Sequence, residues 1–312
     1  MVNTPNRSYS AAHFALALDG IEKVGLFRSI EGGNVKADVM TYQYGAHYDR
    51  WRQLGKPHFE DIKLQIGMSI GKPFYDWIAN FFTGVPDRKD GNIIAADFYY
   101  KERARRHFTN AMIKELTFPK LDGSDKNAAY LGIGLAVEGM TFVKGSGEVI
   151  KDSIAWDPAK LWTACNFRFK ISTPGPLSES TGRVSKVDSF TIKMNVIEYH
   201  GGGHRAPIKT PSQIDFPPIS FYVPEADAQP FYDHVHNQII KEKAVDLPKR
   251  IDGYIETYDN QNHPLFFVNF IGAQVLAVTP EKSDASSEEI KQVKIDIHPE
   301  SMEFSYPRFE VE

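Results

Sequence analysis

The chain repeats itself, and this internal repeat restricts the possible folds more than any other feature of the sequence. Residues Phe59–Ile66 align without a gap with Phe216–Val223, and we call this shift the first offset. The same offset carries the motif Pro73–Asp76 onto Pro230–Asp233, which has the same four residue types. A duplication of this kind means that the fold of one half is also the fold of the other.

Two further matches follow in the same order along the chain. Ile133–Phe142 corresponds to Ile295–Phe304, and Gln43–Gly45 resembles Glu198–Gly201 more loosely. Chance could supply one such match, but four in the same order indicate common descent. We therefore interpret the chain as two tandem copies of one domain.

The domain boundaries follow from the places where the matches end. A polar, Gly-rich stretch at Lys144–Glu148 comes directly after the last match of the first copy and is typical of a connector. We predict a first domain over residues 1–145, a linker over 146–165 and a second domain over 166–312.

Apolar residues mostly alternate with polar residues within each copy, which predicts half-buried β-strands. One segment of each copy instead has apolar residues at helical spacing, after a proline that suits a first helical turn. The alternating sets are Phe14/Leu16/Leu18, Ile62/Leu64/Ile66 and Ile133/Leu135/Val137, then Phe167/Phe169/Ile171, Ile192/Met194/Val196, Ile219/Phe221/Val223 and Val293/Ile295/Ile297. The helical sets are Phe74/Trp77/Ile78/Phe81 and Phe231/Val235/Ile239. The expected fold class is mainly β: a β-barrel or sandwich with one flanking helix, duplicated in tandem.

Composition and charge exclude several classes of protein. Of the 312 residues 42% are apolar and 24% charged, which excludes a disordered or fibrous chain. The formal net charge of −4 argues against a protein that coats nucleic acid by bulk charge. Cys165 is the one cysteine, so an internal disulfide and a multi-cysteine zinc site are both excluded and a reducing compartment is expected.

The sequence shows no targeting or membrane signal. Residues Met1–Ser10 lack the apolar core of a secretory signal, and no run approaches the ~18 apolar residues of a membrane span. We expect a protein that is assembled in the cytosol and has no membrane partner.

Two motifs suggest an esterase. Gly67–Gly71 matches the G-x-S-x-G nucleophile elbow with Ser69 as nucleophile, and His200–Gly203 matches a glycine loop that lines an oxyanion hole. The loop, however, follows the serine here, whereas it precedes the serine in that fold. The flanking segments also lack the βαβ series of parallel strands. Esterase activity through Ser69 therefore stays a distant alternative, with Ser69 in an ordinary strand-to-helix turn.

Other candidate sites have simpler explanations. His200 and His204 have the spacing of two metal ligands on a helix, but the three glycines between them favour a flexible loop. The basic cluster lies between two strand-like runs and is interpreted as a solvated hairpin end; its members are Lys101, Arg103, Arg105, Arg106 and His107. We predict no catalytic residue, no metal site and no cofactor.

A long polar connection occupies the same place in both copies, at Gly45–Pro57 and Gly201–Gln213. Long loops at fixed points on a β scaffold usually carry binding or assembly contacts. The alternative is an insertion that is merely tolerated.

The order of features in the first copy resembles that of the tail tube proteins of contractile phages and of related contractile injection systems. An apolar strand is followed by Gly25–Gly32, by a strand that ends at Tyr42–Gly45, by Ile62–Gly67 and by the tryptophan-bearing helix Phe74–Ile78. The resemblance covers most of residues 10–145 and, through the repeat, residues 164–306.

The resemblance implies a β-barrel with a flanking helix that assembles into stacked sixfold rings around a channel. DNA or an effector would pass through the lumen without sequence-specific binding, and sheath, tape-measure or baseplate proteins would be partners. The particle would be a virion tail or an injection particle assembled in the cytoplasm. Because the chain holds two copies, and because His234 replaces Trp77 in the second, an adaptor or tube-initiator ring at the baseplate or hub is the alternative.

The resemblance also implies which surfaces mediate assembly. The long loops would contact the adjacent ring, and strand edges would pair between subunits, because an unpaired edge promotes aggregation. Two tandem domains per chain favour a trimer with pseudo-sixfold symmetry over a hexamer. The expected ring–ring or subunit interface residues are Tyr48, Arg50, Trp51 and Arg52 in the first copy and His204 and Arg205 in the second.

Overall fold

The computed structural model describes residues 13–20, 25–46, 48–150, 162–203, 206–241, 250–282 and 290–307. Each copy is mostly β-strand. The first copy contains β1 (Phe14–Leu18), β2 (Gly25–Gly32), β3 (Val35–Tyr42), β4 (Trp51–Phe59), β5 (Ile62–Ile70), α1 (Lys72–Phe82), β6 (Lys89–Ala96), β7 (Glu102–Phe118), β8 (Leu121–Asp122), β9 (Leu131–Ala136) and β10 (Gly139–Lys144).

The second copy has the same succession with one added helix near its start and, among the described residues, no counterpart of β8. It contains β11 (Phe167–Ile171), α2 (Pro176–Ser180), β12 (Lys186–Val187), β13 (Phe190–Tyr199), β14 (Ile208–Asp215), β15 (Ile219–Pro224), α3 (Gln229–Val235), β16 (Ile251–Tyr258), β17 (Pro264–Pro280), β18 (Gln292–His298) and β19 (Ser301–Ser305). The predicted fold class is confirmed: the chain is mainly β, with barrel-like sheets and a duplicated plan.

The strand pairings of one copy recur in the other. β1 pairs with β6 as β11 pairs with β16, and β2 pairs with β5 as β12 pairs with β15. The hairpin β3–β4 recurs as β13–β14, and the long strand β7 pairs with β6, β9 and β10 as β17 pairs with β16, β18 and β19. The repeat therefore extends from the sequence to the topology.

The register of the hairpins defines which residues are equivalent. Tyr42 pairs with Trp51 and Tyr199 pairs with Ile208, so the first offset runs through both strands and the turn without a gap. A β-bulge interrupts the two hairpins at the same place. The looser sequence match at Gln43–Gly45 was therefore misaligned, because the pairing places Tyr42 on Tyr199.

A second offset applies after the helices. Leu116 pairs with Ile133 in the first copy, and Val278 pairs with Ile295 in the second. The shift from Leu116 to Val278 equals the shift from Ile133 to Ile295, and we call it the second offset. At this offset β7, β9 and β10 are equivalent to β17, β18 and β19.

The helix α1 forms where the spacing of apolar residues predicts it. Pro73 stands in its first turn, Gly84 follows its end with φ +72°, and the stripe that includes Phe74 and Trp77 is buried. The Trp77 Nε1–H donates a hydrogen bond to the Asp87 carbonyl oxygen at 2.9 Å. The equivalent helix α3 is shorter and continues as a π-helical turn over residues 236–240.

The strand arrangement differs from that of an esterase. Every strand pairing among the described residues is antiparallel, whereas a nucleophile elbow requires a parallel sheet. Ser69 lies within β5, so its placement in a strand-to-helix turn was wrong: the strand continues to Ile70 because β2 pairs with it up to that residue.

Sheets cross from one copy to the other. One nine-stranded sheet has the order β1-β6-β7-β9-β5-β2, and β7 also pairs with β10 and with β13 of the second copy. The eight-stranded sheet has the order β11-β16-β17-β18-β15-β12-β8, so its last strand belongs to the first copy. Hydrogen-bonded strands therefore join the two copies edge to edge.

A strand glycine below an aromatic ring recurs in both copies. A Cβ atom at Gly91 would lie 2.3 Å from the Phe108 ring, and one at Gly253 would lie 2.4 Å from the equivalent Phe270 ring. Each would also come within 2.5 Å of a backbone carbonyl oxygen of the neighbouring strand. The strand thus needs glycine here for close approach.

We expect Gly91→Ala and Gly253→Ala each to lower the free energy of unfolding by about 1–3 kcal/mol, because the ring and the neighbouring strand must both shift. Equilibrium denaturation followed by circular dichroism measures this change. Gly67→Ala is the matched control, since a Cβ atom at this strand glycine meets nothing within 4 Å. Equal effects at Gly91 and Gly67 would contradict the packing argument.

Candidate assembly interface

The predicted long loops are largely strands. In the first copy the segment predicted as a loop over Gly45–Pro57 contains a turn and then most of β4, which pairs with β3. In the second copy Gly201–Gln213 likewise becomes β14 from Ile208 onward. The prediction was wrong here because β4 lacks apolar alternation, and pairing with its neighbour rather than burial makes it a strand.

The predicted interface residues of the first copy lie together on the hairpin β3–β4. Tyr48 and Arg50 belong to the turn, Trp51 lies opposite Tyr42, and Arg52 is the next residue of β4. All are exposed, Tyr48 fully and Trp51 by 70%. Exposed aromatic groups of this size are typical of interaction surfaces.

The predicted interface residues of the second copy, His204 and Arg205, lie outside the described residues. His204 was also considered as a metal ligand together with His200, and that interpretation falls outside the described residues for the same reason. The hairpin that carries them is described on both sides of this gap, up to Gly203 and again from Ala206.

The hairpin β13–β14 of the second copy docks on the long strand β7 of the first. Lys193 lies opposite Glu115, and Thr191 lies opposite Thr117 in the antiparallel register. The two threonine Oγ1 atoms are 3.0 Å apart. This pairing supplies partners to the backbone groups at the C-terminal end of β7, which β6 does not reach.

An ion pair of the first copy holds the backbone of the docked hairpin. Arg88 Nη1 donates to Glu138 Oε1 at 2.9 Å, while Arg88 Nη2 donates to the Lys209 carbonyl oxygen at 2.6 Å. The Lys209 N–H donates to the same Glu138 oxygen at 2.8 Å. We call this arrangement the internal clamp: Arg88 and Glu138 engage both backbone groups of one residue of β14.

The Lys209 side chain is buried at the same place. Its Nζ atom lies 3.4 Å from the Phe59 carbonyl oxygen, 3.7 Å from an Asp61 carboxylate oxygen and 4.0 Å from a Glu198 carboxylate oxygen. A buried ammonium group requires such oxygen neighbours to offset the loss of hydration. The internal clamp therefore closes a charged junction between the copies.

Aromatic residues pack beneath the docked strands. Phe118 of β7 stacks on Phe190 of β13 with ring centroids 4.8 Å apart, and Phe266 of β17 contacts Phe118 at 6.1 Å. All three rings are buried. The hydrophobic core is thus continuous between the copies.

The helix of the first copy packs on the last strand of the second. Tyr75 of α1 stacks on Phe304 of β19, and the hydroxyl group of Tyr306 donates to the Asp76 carboxylate. Burial raises the pKa of Tyr306, and this hydrogen bond raises it further, to about 12. The strand β7, the internal clamp and the helix α1 therefore form the first copy's side of one junction. The second copy contributes β13, β14 and β19.

The second copy carries an equivalent ion pair, which no hairpin of the described residues covers. Arg250 and Glu300 are equivalent to Arg88 and Glu138 at the second offset, and Arg250 Nη1 donates to Glu300 Oε2 at 2.7 Å. Their side chains are 57% and 47% exposed, against 31% and 11% for Arg88 and Glu138.

The hairpin β3–β4 is the exposed counterpart of the docked hairpin. Every residue of β3 is exposed, whereas Ile192 and Met194 of the equivalent β13 are buried. Arg52 is exposed, whereas the equivalent Lys209 is buried. The chain therefore has two hairpins and two ion pairs of this kind. Among the described residues, one hairpin and one ion pair contact each other, and the other hairpin and ion pair are exposed.

The basic cluster is part of a strand rather than a hairpin end, and its arginines are paired within the chain. The turn between β6 and β7 lies at residues 97–101, so Lys101 belongs to the turn and the other four residues of the cluster lie in β7. Arg105 donates to Glu102 at 2.8 Å and Arg106 donates to the Gly32 carbonyl oxygen at 2.9 Å. The hydrogen bond from Arg105 holds the pKa of Glu102 below its ordinary value. The prediction of a hairpin end was wrong for the arginines, because they lie in β7 and pair within the chain, although Lys101 and Arg103 are exposed.

Sequence reasoning missed the clamp residues Arg88, Glu138 and Lys209. Arg88 lies in the charged run Asp87–Asp90, Glu138 in the bend between β9 and β10, and Lys209 in β14. Charged residues in such places usually lie on a solvated surface. The repeat nevertheless carried a signal, because the match of Ile133–Phe142 with Ile295–Phe304 aligns Glu138 with Glu300.

Within the described ranges, no group of three or more His, Cys, Asp or Glu residues could hold a metal ion. No helix of the described part is long and apolar enough to cross a membrane.

The comparisons with known proteins agree with the duplicated plan. The model of a family described as T4-like virus tail tube protein gp19 matches residues 10–141 and again residues 163–303. The resemblance drawn from the sequence is thereby confirmed, and so is the tandem arrangement. No curated protein matches the chain in sequence.

Solved structures similar to this chain come from contractile injection systems. A chain of the sheath–tube complex of an extracellular contractile injection system (PVC) in the extended state aligns with a TM-score of 0.40 and 20% identity, covering 45% of this chain and 94% of its own. The tube-terminating cap of the anti-feeding prophage (AFP) aligns with a TM-score of 0.40 and 21% identity, covering 46% of this chain and 100% of its own.

Equivalent glutamates should differ in their effect on the isolated chain. We expect Glu138→Ala to lower the free energy of unfolding by about 2–4 kcal/mol, because it leaves Arg88 Nη1 and the Lys209 N–H without their acceptor. Glu300→Ala removes an exposed pair and should cost less than about 1 kcal/mol. Denaturant titration of dilute protein measures both. Equal losses would contradict the internal clamp.

Proposed function

The chain belongs to the T4-like virus tail tube protein family, and from this membership we propose that three copies of it close one ring of the tube, with the two domains of each chain side by side around the ring. As a family member the chain is a structural subunit of a tail tube, located in a virion tail or an injection particle. The observation that carries the proposal is the pairing of β13 with β7, which extends the sheet of one copy into the other.

Edge-to-edge contact favours a ring over a radial arrangement. The junction is heterologous, because β7, the internal clamp and α1 of the first copy contact β13, β14 and β19 of the second. Repetition of a heterologous contact closes a ring when the rotation per domain divides the circle. A hexamer with the second copy outside the first would instead need face-to-face packing of the copies.

The family supports a stoichiometry of three chains per ring. Six tube domains form a ring in the family, and each chain supplies two, so three chains complete the circle with approximate sixfold symmetry. Every second junction in such a ring lies within a chain and every other one between chains. The uncovered hairpin β3–β4 and the uncovered pair Arg250 and Glu300 are the two halves that the junction between chains requires.

The hairpin tips support stacking of rings. Tyr199 lies near the tip of the docked hairpin and is still 64% exposed, so lateral docking covers the base of a hairpin and leaves its tip uncovered. Tyr42, Tyr48 and Trp51 occupy the same region of the other hairpin. We assign these tips, together with His204 and Arg205 of the second copy, to contact with the adjacent ring.

The tube would act without catalysis. DNA or an effector would pass through its lumen without sequence-specific contacts, and sheath, tape-measure or baseplate proteins would bind its outer wall or its ends. The family supports this role because its members are structural proteins.

A specialised ring at the baseplate or hub is the second candidate. It is favoured by the differences between the copies: α2 occurs only in the second among the described residues, and α3 is shorter than α1. A ring with alternating domains presents three equal surfaces, which suits a threefold partner such as a spike.

Ring mass separates the two stoichiometries. We expect native mass spectrometry of isolated rings to give about three chains, or about 106 kDa from the chain mass of 35.3 kDa. Two-dimensional class averages along the ring axis should show six barrels with threefold symmetry. Six chains per ring would refute the proposed arrangement.

Ring stacking should depend on the apolar hairpin tip. We expect the double variant Tyr48→Ser with Trp51→Ser to form single rings but no long tubes, because both side chains are exposed and outside the core. Electron microscopy measures tube length, and thermal melting should stay within about 2 °C of the unmodified protein. Ile290→Ser, a change at another exposed apolar residue, is the control. Tubes of normal length from the double variant would refute the axial assignment.

A further inference from the structure

We infer that Arg250 and Glu300 form a second clamp, which binds the backbone of Arg52 in another copy of this chain. The inference rests on the proposed ring and names the contact that joins one chain to the next. It follows from the internal clamp, which supplies a complete template for the occupied state.

The backbone around the second clamp has the geometry of the first. The Asp90 carboxylate accepts the Asn110 N–H at 2.7 Å, and the equivalent Asp252 carboxylate accepts the Gly272 N–H at 2.8 Å. Asn110 and Gly272 have positive φ angles of 52° and 67°, so the strands bend alike. Glu300 lies beside Gly272, with its Oε2 atom 2.7 Å from the position of a Cβ atom there. The second clamp is therefore formed in the free chain.

Arg52 is the residue that equivalence assigns to this clamp. It corresponds to Lys209 at the first offset, and both are the second paired residue of their strand. The internal clamp contacts only the N–H and the carbonyl oxygen of Lys209, so the different side chain of Arg52 does not prevent binding. The Asp61 carboxylate near the Lys209 ammonium group has no counterpart at the other junction, because Pro218 replaces Asp61. The inference therefore concerns the backbone contacts alone.

The adjacent strand edges fit the same register. Among the described residues, β16 pairs with β17 only up to Ala273, so Ala277–Pro280 has no partner on the side opposite β18. The equivalent segment of β7 is the one that β13 covers. The register of the internal junction places Asn34 of one chain opposite Thr279 of the next, as Thr191 lies opposite Thr117.

Charge at the helix contact is complementary as well. Asp76 of α1 accepts a hydrogen bond from Tyr306 in the internal junction. The equivalent residues at the junction between chains are Asp233 and Lys144, and Lys144 is exposed. At the junction between chains the Asp233 carboxylate would thus face the Lys144 ammonium group, whereas in the internal junction the Asp76 carboxylate faces the Tyr306 hydroxyl group. This contact favours a second copy of the chain over an unrelated occupant.

Disulfide trapping tests the register in assembled rings. In a Cys165→Ser background, the variant Asn34→Cys with Thr279→Cys should form a disulfide between chains, because the template threonines have side-chain oxygen atoms in contact. Non-reducing electrophoresis should show dimers and trimers and no larger species. The internal pair Thr117→Cys with Thr191→Cys should close within one chain and serves as the positive control.

A register control and a clamp variant complete the test. Val35→Cys with Thr279→Cys shifts one cysteine to the opposite face of its strand and should cross-link at least tenfold less. Glu300→Ala should raise the protein concentration needed for ring formation at least tenfold while leaving the melting temperature of the single chain unchanged. Lys291→Ala, which breaks another exposed ion pair of the same copy with Glu225, should leave ring formation unchanged.

The outcomes distinguish a failure of the second clamp from a failure of the proposed ring. Rings that form without the trimeric disulfide product, and without sensitivity to Glu300→Ala, would overturn the clamp and leave the proposed ring intact. A protein that stays monomeric at all concentrations in solution, and that forms no ring in isolated particles, would overturn the ring and the clamp together. Trapping at positions 34 and 279 with loss of assembly in Glu300→Ala supports the clamp.

Discussion

A strand edge needs partners for its backbone groups, and this requirement organises the whole chain. The C-terminal end of β7 meets it through β13 of the second copy, whereas the equivalent end of β17 has no such partner among the described residues. Because the two copies share one topology, the contact that satisfies the first edge is geometrically available to the second. A single structural solution thus serves folding within the chain and association between chains.

We expect the junction within the chain to be stronger than the proposed junction between chains. Within the chain, Phe118 stacks on Phe190 under the paired strands, and the covalent connection removes the entropic cost of association. At the proposed junction between chains the equivalent residues are Pro280 and Gly33, so the aromatic stack is missing there. The chain can therefore fold as a unit first, with ring closure as a later, concentration-dependent step.

Sequence periodicity predicted the elements that face the core. Strands such as β5 and β15 alternate because one face is buried, and α1 shows its stripe for the same reason. The strand β4 escaped notice because its sequence, with Gly55 and Pro57, has neither alternation nor a buried face, and its partner β3 makes it a strand. Arg52 was predicted as an interface residue from the family resemblance, and that assignment stays a prediction. The clamp residues were missed because the charge pattern of a single residue does not reveal what its backbone neighbours will be.

Several differences between the copies concern residues that face each other at the internal junction or at the proposed junction between chains. Met194 of the docked hairpin lines the same small internal space as Trp77 of the first copy. The equivalent residues at the junction between chains are Ala37 and His234, so both partners have smaller side chains there. Tyr306, which donates to Asp76, is replaced by Lys144, while the aspartate is retained as Asp233. Because the facing residues suit each other at each junction, a hairpin of the wrong copy would meet a poorly fitting surface. Divergence of the duplicated domains therefore specifies the alternation of domains in the proposed ring, which identical copies could not do.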